Sequence, residues 1–151
     1  MSDASPLHAE HYADRARFAQ TTVLENTETA RDTFRMRVDA AGIARRILPG
    51  QFLMVRLAGQ TEPMLGRAFA VYDVVRGADG AAEALDFVYV KKGNLTTPLS
   101  ACEPGRQIEV WGPLGNGFEP RPTDHLIMVA GGIGQTPFPD VDENAGRKHQ
   151  E

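Results

Sequence analysis

The sequence predicts a mainly β protein: a six-stranded antiparallel Greek-key barrel with one short helix, followed by the incomplete start of an α/β domain. Two observations predict this. From residue 15 to residue 111, short runs of β-forming residues alternate with Gly, Pro and Asp turns, which is typical of an antiparallel barrel or sandwich. After residue 120 the pattern changes to one continuous apolar run and a glycine loop, as at the start of a parallel sheet.

Six runs are predicted as strands because each is short, rich in β-branched or aromatic residues and bounded by turn residues. In residues 34–38 apolar and polar side chains alternate strictly, so one face of that strand should be buried and the other exposed to water. The predicted strands are 18–24, 34–38, 51–57, 67–75, 85–90 and 107–111.

Residues 96–101 are predicted to form the short helix. Thr96 is a good N-cap, and Pro98 suits the first turn, where its missing N–H has no helical partner. Residues 103–105 (Glu-Pro-Gly) should end this helix. Residues 112–118 (Gly-Pro-Leu-Gly-Asn-Gly-Phe) are interpreted as a glycine-dense loop that leaves the barrel.

The predicted organisation has four segments. Residues 1–12 are polar and read as a disordered leader, and residues 13–119 form the barrel domain. Residues 124–138 are the first strand, at 125–130, and the glycine loop of a second domain. An amphipathic helix should follow such a strand, but the tail at 139–151 is polar and without apolar periodicity. We therefore expect an unstructured tail and a truncated second domain.

Composition argues against several functional classes. The net charge is −4 with acidic and basic residues mixed, so a nucleic-acid partner is not expected. No apolar run approaches the roughly 20 residues that span a bilayer, so no membrane partner and a cytoplasmic location are expected. The single cysteine, Cys102, cannot supply a four-thiolate cluster, and the four histidines show no ligand spacing. No metal is predicted.

The first candidate site lies at the start of predicted strand 67–75. An arginine there can hold a diphosphate with a fixed fork of donors, and the residues after it can present backbone groups to the edge of a flat ring. The alternative is a solvated charge. The candidate residues are Arg67, Ala68, Phe69 and Ala70.

The second candidate is the strand that runs through Gly93 into the helix, because donors at a helix N-terminus can bind an anion. Its alternative is a capped helix with a core tyrosine. The candidate residues are Val88, Tyr89, Val90 and Thr96.

The third candidate is the glycine loop after the apolar run. Glycines let a backbone approach a phosphate closely, although the spacing is not that of the standard dinucleotide fingerprint and a tight turn is the alternative. The candidate residues are Gly131, Gly132 and Gly134.

The order of four segments resembles the ferredoxin-NADP reductase superfamily and, within it, the electron-transfer subunits of dihydroorotate dehydrogenase. These segments are Pro-Gly-Gln-Phe at 49–52, Leu-Gly-Arg-Ala-Phe-Ala-Val at 65–71, Gly-Pro-Leu-Gly-Asn-Gly-Phe at 112–118 and Val-Ala-Gly-Gly-Ile-Gly at 129–134. The last two, taken as a pair, are the most discriminating.

The resemblance implies that FAD binds against the barrel. Arg67 would bind its diphosphate, and Val88, Tyr89 and Val90 would form a second contact segment. The family motif that begins at Arg67 usually ends in serine or threonine, whereas Ala70 has no hydroxyl. A third family segment falls on Leu95 and Thr96.

The resemblance also implies an oxidoreductase role in pyrimidine biosynthesis. Electrons would pass between a nicotinamide cofactor and a dihydroorotate dehydrogenase catalytic subunit through FAD and, in the full-length family, a [2Fe-2S] cluster. The cluster cysteines are absent here and the NAD(P) site is incomplete, so reduced activity is expected. The alternatives are another ferredoxin-reductase-like flavin or NAD(P)H reductase subunit, and a non-catalytic β-barrel module that binds a partner.

Overall fold

The computed structural model describes residues 15–118, 125 and 127–139. The predicted leader at 1–12, residues 124 and 126, and residues 140–151 of the predicted tail lie outside this range. Within it, six strands form a closed antiparallel barrel, which confirms the predicted fold class. The strands are β1 (Arg17–Ala30), β2 (Thr33–Val38), β3 (Phe52–Leu57), β4 (Arg67–Arg76), β5 (Ala82–Val90) and β6 (Gln107–Leu114).

The strand order around the barrel is β1-β2-β5-β4-β3-β6. β1 closes the barrel because it is long enough to pair with two neighbours. Its first part, from Arg17 to Thr22, pairs with β6, and its second part pairs with β2. A bulge between Val23 and Glu25 lies near the start of the second part, and such a bulge bends a strand and re-aims its side chains.

The core fills the barrel interior through the two-residue period of the strands. In β3 the side chains alternate between partly exposed and buried along its whole length. In β2 and the first part of β6 the buried side chains likewise recur at every second position. The side chains with no exposed surface include Val23, Met36, Val38, Leu53, Val55, Leu85, Phe87, Ile108 and Val110.

Two short α-helices lie wholly within the described residues, where the sequence predicted one. α1 (Ala41–Ala44) is an additional helix, and its Ile43 and Ala44 are buried in the core. Four residues are too few to show a helical period in a sequence, so nothing marked this turn. α2 (Thr96–Ser100) is the predicted helix, one residue shorter than expected.

The predicted capping role of Thr96 is wrong. Leu95 occupies the N-cap position, and no side chain caps the helix. The Thr96 hydroxyl instead accepts a hydrogen bond from the Lys92 N–H at 2.6 Å and donates to the Lys92 carbonyl at 2.8 Å. Threonine competes for nearby backbone groups in this way, and here it closes the turn that precedes the helix.

The predicted strand at 125–130 is not formed by the residues that the structure describes there. His125 and residues 127–131 belong to no strand and are exposed, and a 3₁₀-helix follows at Gly132–Gln135. A strand exists only with a hydrogen-bonded neighbour, and no described residue provides one. Among the described residues, no helix has the length and apolarity needed to cross a membrane.

Candidate functional site

A groove of about 350 Å³ runs along β4 and β5, and we call it the ring groove. Its size falls in the usual range for small-molecule sites, about 300–1,000 Å³. It gathers seven of the twelve predicted site residues. β4 and β5 are antiparallel, and Val71 pairs with Phe87, so the residues before Val71 lie beside those after Phe87. The lining residues are Ala68, Phe69, Ala70, Val88, Tyr89, Val90, Ile133, Gly134, Thr136 and Pro137.

Aromatic rings support the floor of the ring groove. Phe69 stacks on Phe87 with ring centroids 5.3 Å apart, and Tyr89 stacks on Phe34 at 5.7 Å. Phe69 also meets the edge of Tyr89 at 5.9 Å. Offset and edge contacts of this kind fix ring positions more tightly than aliphatic packing does, so the groove is preorganised before anything binds.

Tyr89 is a groove residue whose hydroxyl already has a partner. Its side chain is almost fully buried, and the hydroxyl donates to Asn26 Oδ1 at 2.9 Å. Burial raises the pKa of the Tyr89 phenol well above its ordinary value, and the hydrogen bond to Asn26 opposes that shift only in part. Tyr89 is therefore a neutral, oriented side chain at physiological pH.

Arg67 does not line the ring groove, although it directly precedes Ala68. The side chain is exposed, and its Nη1 donates to the neighbouring carbonyls of Leu65 and Gly66, both at 3.3 Å. No carboxylate of the described residues pairs with it. The guanidinium therefore keeps most of its five donors available for a ligand.

A second groove, of about 470 Å³, is formed in part by residues that precede Arg67 in the chain, and we call it the helix groove. It joins the loop before β4 to the turn before α2 and the first turn of that helix. The lining residues are Glu62, Pro63, Gly93, Asn94, Thr97 and Pro98.

Leu95 and Thr96, both predicted site residues, line neither groove. Leu95 is buried in the core cluster, and Thr96 is nearly as buried. They fix the turn whose outer residues line the helix groove. Their predicted contact with a cofactor stays a prediction.

The glycine loop is open at all three predicted positions. A Cβ atom at Gly131, Gly132 or Gly134 would meet nothing within 4 Å. Only Gly134 lines the ring groove, where Ile133, Thr136 and Pro137 accompany it. Sequence reasoning missed these three residues as site residues, although they lie in the same loop. The signal was the continuity of the Gly131 to Pro137 segment, which turns one face toward β5.

Two of the segments that carry the resemblance pack against each other rather than into a groove. The Phe118 N–H donates to the Pro49 carbonyl at 2.6 Å, and Gln51 Nε2 donates to the Gly115 carbonyl at 2.8 Å. A Cβ on Gly115 would lie 2.7 Å from the Phe52 ring. We call this contact of 49–52 with 112–118 the clasp, and its glycines are required by close packing.

An ion-pair cluster stabilises the strands beside the ring groove. Asp86 on β5 is buried and accepts two hydrogen bonds from Arg37, at 2.8 and 3.0 Å. Glu25 bridges Arg37 and Arg35 at 3.1 and 3.0 Å. The hydrogen bond to Asp86, opposed by burial, raises the pKa of Arg37. The cluster therefore ties β1, β2 and β5 together just before Val88.

The described residues contain no group of three or more side chains that could hold a metal ion. Cys102 is free and buried, and burial raises the pKa of its thiol. One cysteine does not fit a [2Fe-2S] cluster, which takes four protein ligands.

The family of oxidoreductase FAD-binding domains matches residues 20–118, two thirds of the chain and nearly all of the barrel. The chain belongs to this FAD-binding domain family. This match confirms the FAD-binding domain that the resemblance implied. The matched range includes both predicted contact segments on β4 and β5, and it ends at the last residue of the clasp.

Relatives of this FAD-binding domain carry a more specific name. A protein of Desulforamulus reducens named dihydroorotate dehydrogenase B (NAD(+)), electron transfer subunit, is 40% identical over 110 residues, covering 72% of this chain and 40% of that protein. A protein of the same name from Bacillus velezensis is 31% identical over 133 residues, covering 86% of this chain and 50% of that protein. The chain thus spans about half the length of the curated relatives it matches.

Solved structures share the architecture. The structure of an NADH-dependent reduced ferredoxin-NADP oxidoreductase aligns with a TM-score of 0.72 at 23% identity, over 85% of this chain and 45% of that one. At this identity the likeness concerns the fold. This likeness agrees with the ferredoxin-reductase-like barrel that the sequence predicted.

Proposed function

We propose that the chain is the FAD-binding part of an electron-transfer flavoprotein, with the isoalloxazine ring in the ring groove and the diphosphate on Arg67. The observation that carries the proposal is the convergence of both predicted contact segments, Ala68 to Ala70 and Val88 to Val90, on one groove of suitable size. Family membership over residues 20–118 supports the same cofactor.

The chemistry of the groove fits a flat, mostly apolar ring system. Its lining is aliphatic and aromatic, and Thr136 is its remaining hydroxyl once Tyr89 is bonded to Asn26. Arg67, which directly precedes the groove residue Ala68, is exposed, and arginine binds phosphate oxygens with strong, bidentate hydrogen bonds. The helix groove, beyond Arg67, is the place for the adenylate half.

When bound, FAD supplies the redox chemistry, and this chain supplies position. The aromatic floor orients the ring, Arg67 neutralises the diphosphate, and the 133–137 segment covers one side of the groove. A Cβ at Gly131 or Gly132 would meet nothing within 4 Å, so the backbone at these two positions is open to a nicotinamide dinucleotide.

The relatives' names extend the proposal to a partner. By analogy with the electron transfer subunits named for dihydroorotate dehydrogenase B (NAD(+)), we propose that electrons pass between a nicotinamide cofactor and a dihydroorotate dehydrogenase catalytic subunit in pyrimidine biosynthesis. The single cysteine means that a [2Fe-2S] cluster would need ligands from outside this chain.

The test is a titration of the purified chain with FAD and with riboflavin, followed by flavin absorbance and fluorescence. Arg67→Ala should weaken FAD binding by about tenfold or more and leave riboflavin binding unchanged, because riboflavin has no phosphate and a charged hydrogen bond contributes about 1.5–3 kcal/mol.

Arg76→Ala is the matched control. Arg76 is exposed at the other end of the same strand, and its guanidinium also donates to a nearby carbonyl. The ten residues of β4 place it about 30 Å from Arg67, so this variant should bind FAD normally. A chain that stays colourless and does not change the FAD spectrum would contradict the proposal and favour a barrel that only binds a partner.

A further inference from the structure

Asn26 is a polar residue on the inner side of the barrel wall. Without a bulge, Glu25 would share the inward face of Val23, because alternate residues of a strand face the same way. The bulge between Val23 and Glu25 reverses the alternation. Glu25 therefore joins the outer ion-pair cluster, and Asn26 pairs with the fully buried Met36.

The Asn26 side chain uses both of its polar ends. Its Oδ1 accepts the hydrogen bond from the Tyr89 hydroxyl at 2.9 Å. Its Nδ2 donates to the carbonyls of Leu99 at 3.1 Å and Cys102 at 3.0 Å. An amide can do both, since it carries an acceptor oxygen and two N–H donors.

The hydrogen bonds of Asn26 connect elements that belong to two different grooves. Tyr89 belongs to the floor of the ring groove. Leu99 lies in the last turn of α2 and Cys102 follows the end of this helix. The first turn of α2 supplies Thr97 and Pro98 to the helix groove. α2 has five residues, about 7.5 Å in length, so it moves as one short rigid unit. The hydrogen bonds that hold its last turn therefore help to set the position of its first turn, together with the buried Leu95 and Thr96.

We propose that Asn26 is a positioning residue that sets the helix groove relative to the ring groove, so that one ligand with an aromatic ring and a nucleotide half can occupy both. The inference rests on the proposed function and deepens it. Asn26 touches neither half of the ligand. It acts through Tyr89 on one side and through the last turn of α2 on the other.

Two isosteric substitutions separate the contact with Tyr89 from the contacts with Leu99 and Cys102. Asn26→Asp keeps an acceptor for the Tyr89 hydroxyl but loses the donors to the carbonyls of Leu99 and Cys102. Tyr89→Phe keeps the Asn26 bonds to α2 but loses the hydroxyl. The measured quantity is the ratio of the dissociation constants of FMN and FAD, determined by fluorescence titration on protein whose folded fraction is checked by circular dichroism.

Asn26→Asp should lower the affinity for FAD about tenfold and change that for FMN by less than about twofold, because FMN lacks the adenylate that the helix groove would hold. Tyr89→Phe should change both affinities by the same factor. Loss of overall stability does not alter the ratio, since both ligands bind the same folded protein.

The outcomes are distinguishable. If the unsubstituted chain binds neither flavin, the proposed function is overturned and this inference with it. If the unsubstituted chain binds FAD more tightly than FMN and Asn26→Asp leaves that ratio unchanged, Asn26 is a structural residue only and the inference alone is overturned. Should Asn26→Asp fail to fold, Asn26→Ser supplies the comparison, and an unchanged ratio in that variant overturns the inference equally.

Discussion

Asp86 is a carboxylate with about 1% of its side chain exposed, held between two arginines of β2. Burying a charge is unfavourable unless hydrogen bonds and an opposite charge compensate it. Arg37 provides that compensation through two bonds, while the Nε of Arg35 lies 3.7 Å from the carboxylate and has no hydrogen-bond partner. The geometry is therefore asymmetric, with Arg37 as the principal partner.

Asp86→Asn should destabilise the barrel by about 2–4 kcal/mol, because it leaves Arg37 and Arg35 facing each other without the buried carboxylate. Glu25→Gln is the control. Glu25 contacts the same two arginines, but its side chain is 44% exposed, and exposed pairs contribute about 0–1 kcal/mol. Denaturant unfolding of both variants measures the two losses in stability. Equal losses would contradict the expectation that the buried carboxylate contributes more than the exposed one.

The clasp explains why the segments 49–52 and 112–118 carry so much of the resemblance without lining a groove. β6 continues through Gly112 and Pro113 to Leu114, and Phe52 pairs with Leu114. The end of the barrel is thus packed by backbone against aromatic rings. These segments were noticed in the sequence as motifs, but their role depends on a contact between residues about 65 positions apart, which no local pattern reveals.

Gly115→Ala should destabilise the protein by about 2–4 kcal/mol. Gly115 has φ +75°, and a Cβ there would also strike the Phe52 ring. Backbone strain contributes about 1–2 kcal/mol and overpacking about 1–3 kcal/mol.

Gly59→Ala separates the two causes. Gly59 has nearly the same dihedral, φ +73°, but a Cβ there would meet nothing within 4 Å, so only the backbone term of about 1–2 kcal/mol remains. Thermal unfolding of the two variants measures the difference. A Gly59→Ala effect as large as that of Gly115→Ala would mean that packing against Phe52 contributes nothing.

The whole molecule shows which parts of a fold can be inferred from local pattern. The barrel strands were predictable because alternation and turn residues are local properties. The apolar run at 125–130 was predicted as a strand for the same reason, but a strand also needs a neighbour. The cover of the ring groove by 133–137 was not predictable, since it depends on where the chain returns after the barrel.

Removal of residues 119–151 should leave the barrel folded and weaken FAD binding. The barrel wall is complete within the strands that end at Leu114, whereas Ile133, Thr136 and Pro137 line one side of the ring groove. A chain that ends at Pro139 keeps every lining residue and is the control. Titration of both with FAD checks this, and equal affinities would show that the covering segment contributes no binding free energy.

Closure of the barrel restricts how another protein can attach to it. Each of the six strands in the described part has a strand on either side, so no strand is a free edge along its whole length for an incoming chain to pair with. Attachment therefore depends mainly on side chains and connecting loops. Changes at the surface could therefore alter which protein is recognised while the hydrogen-bonded wall stays intact.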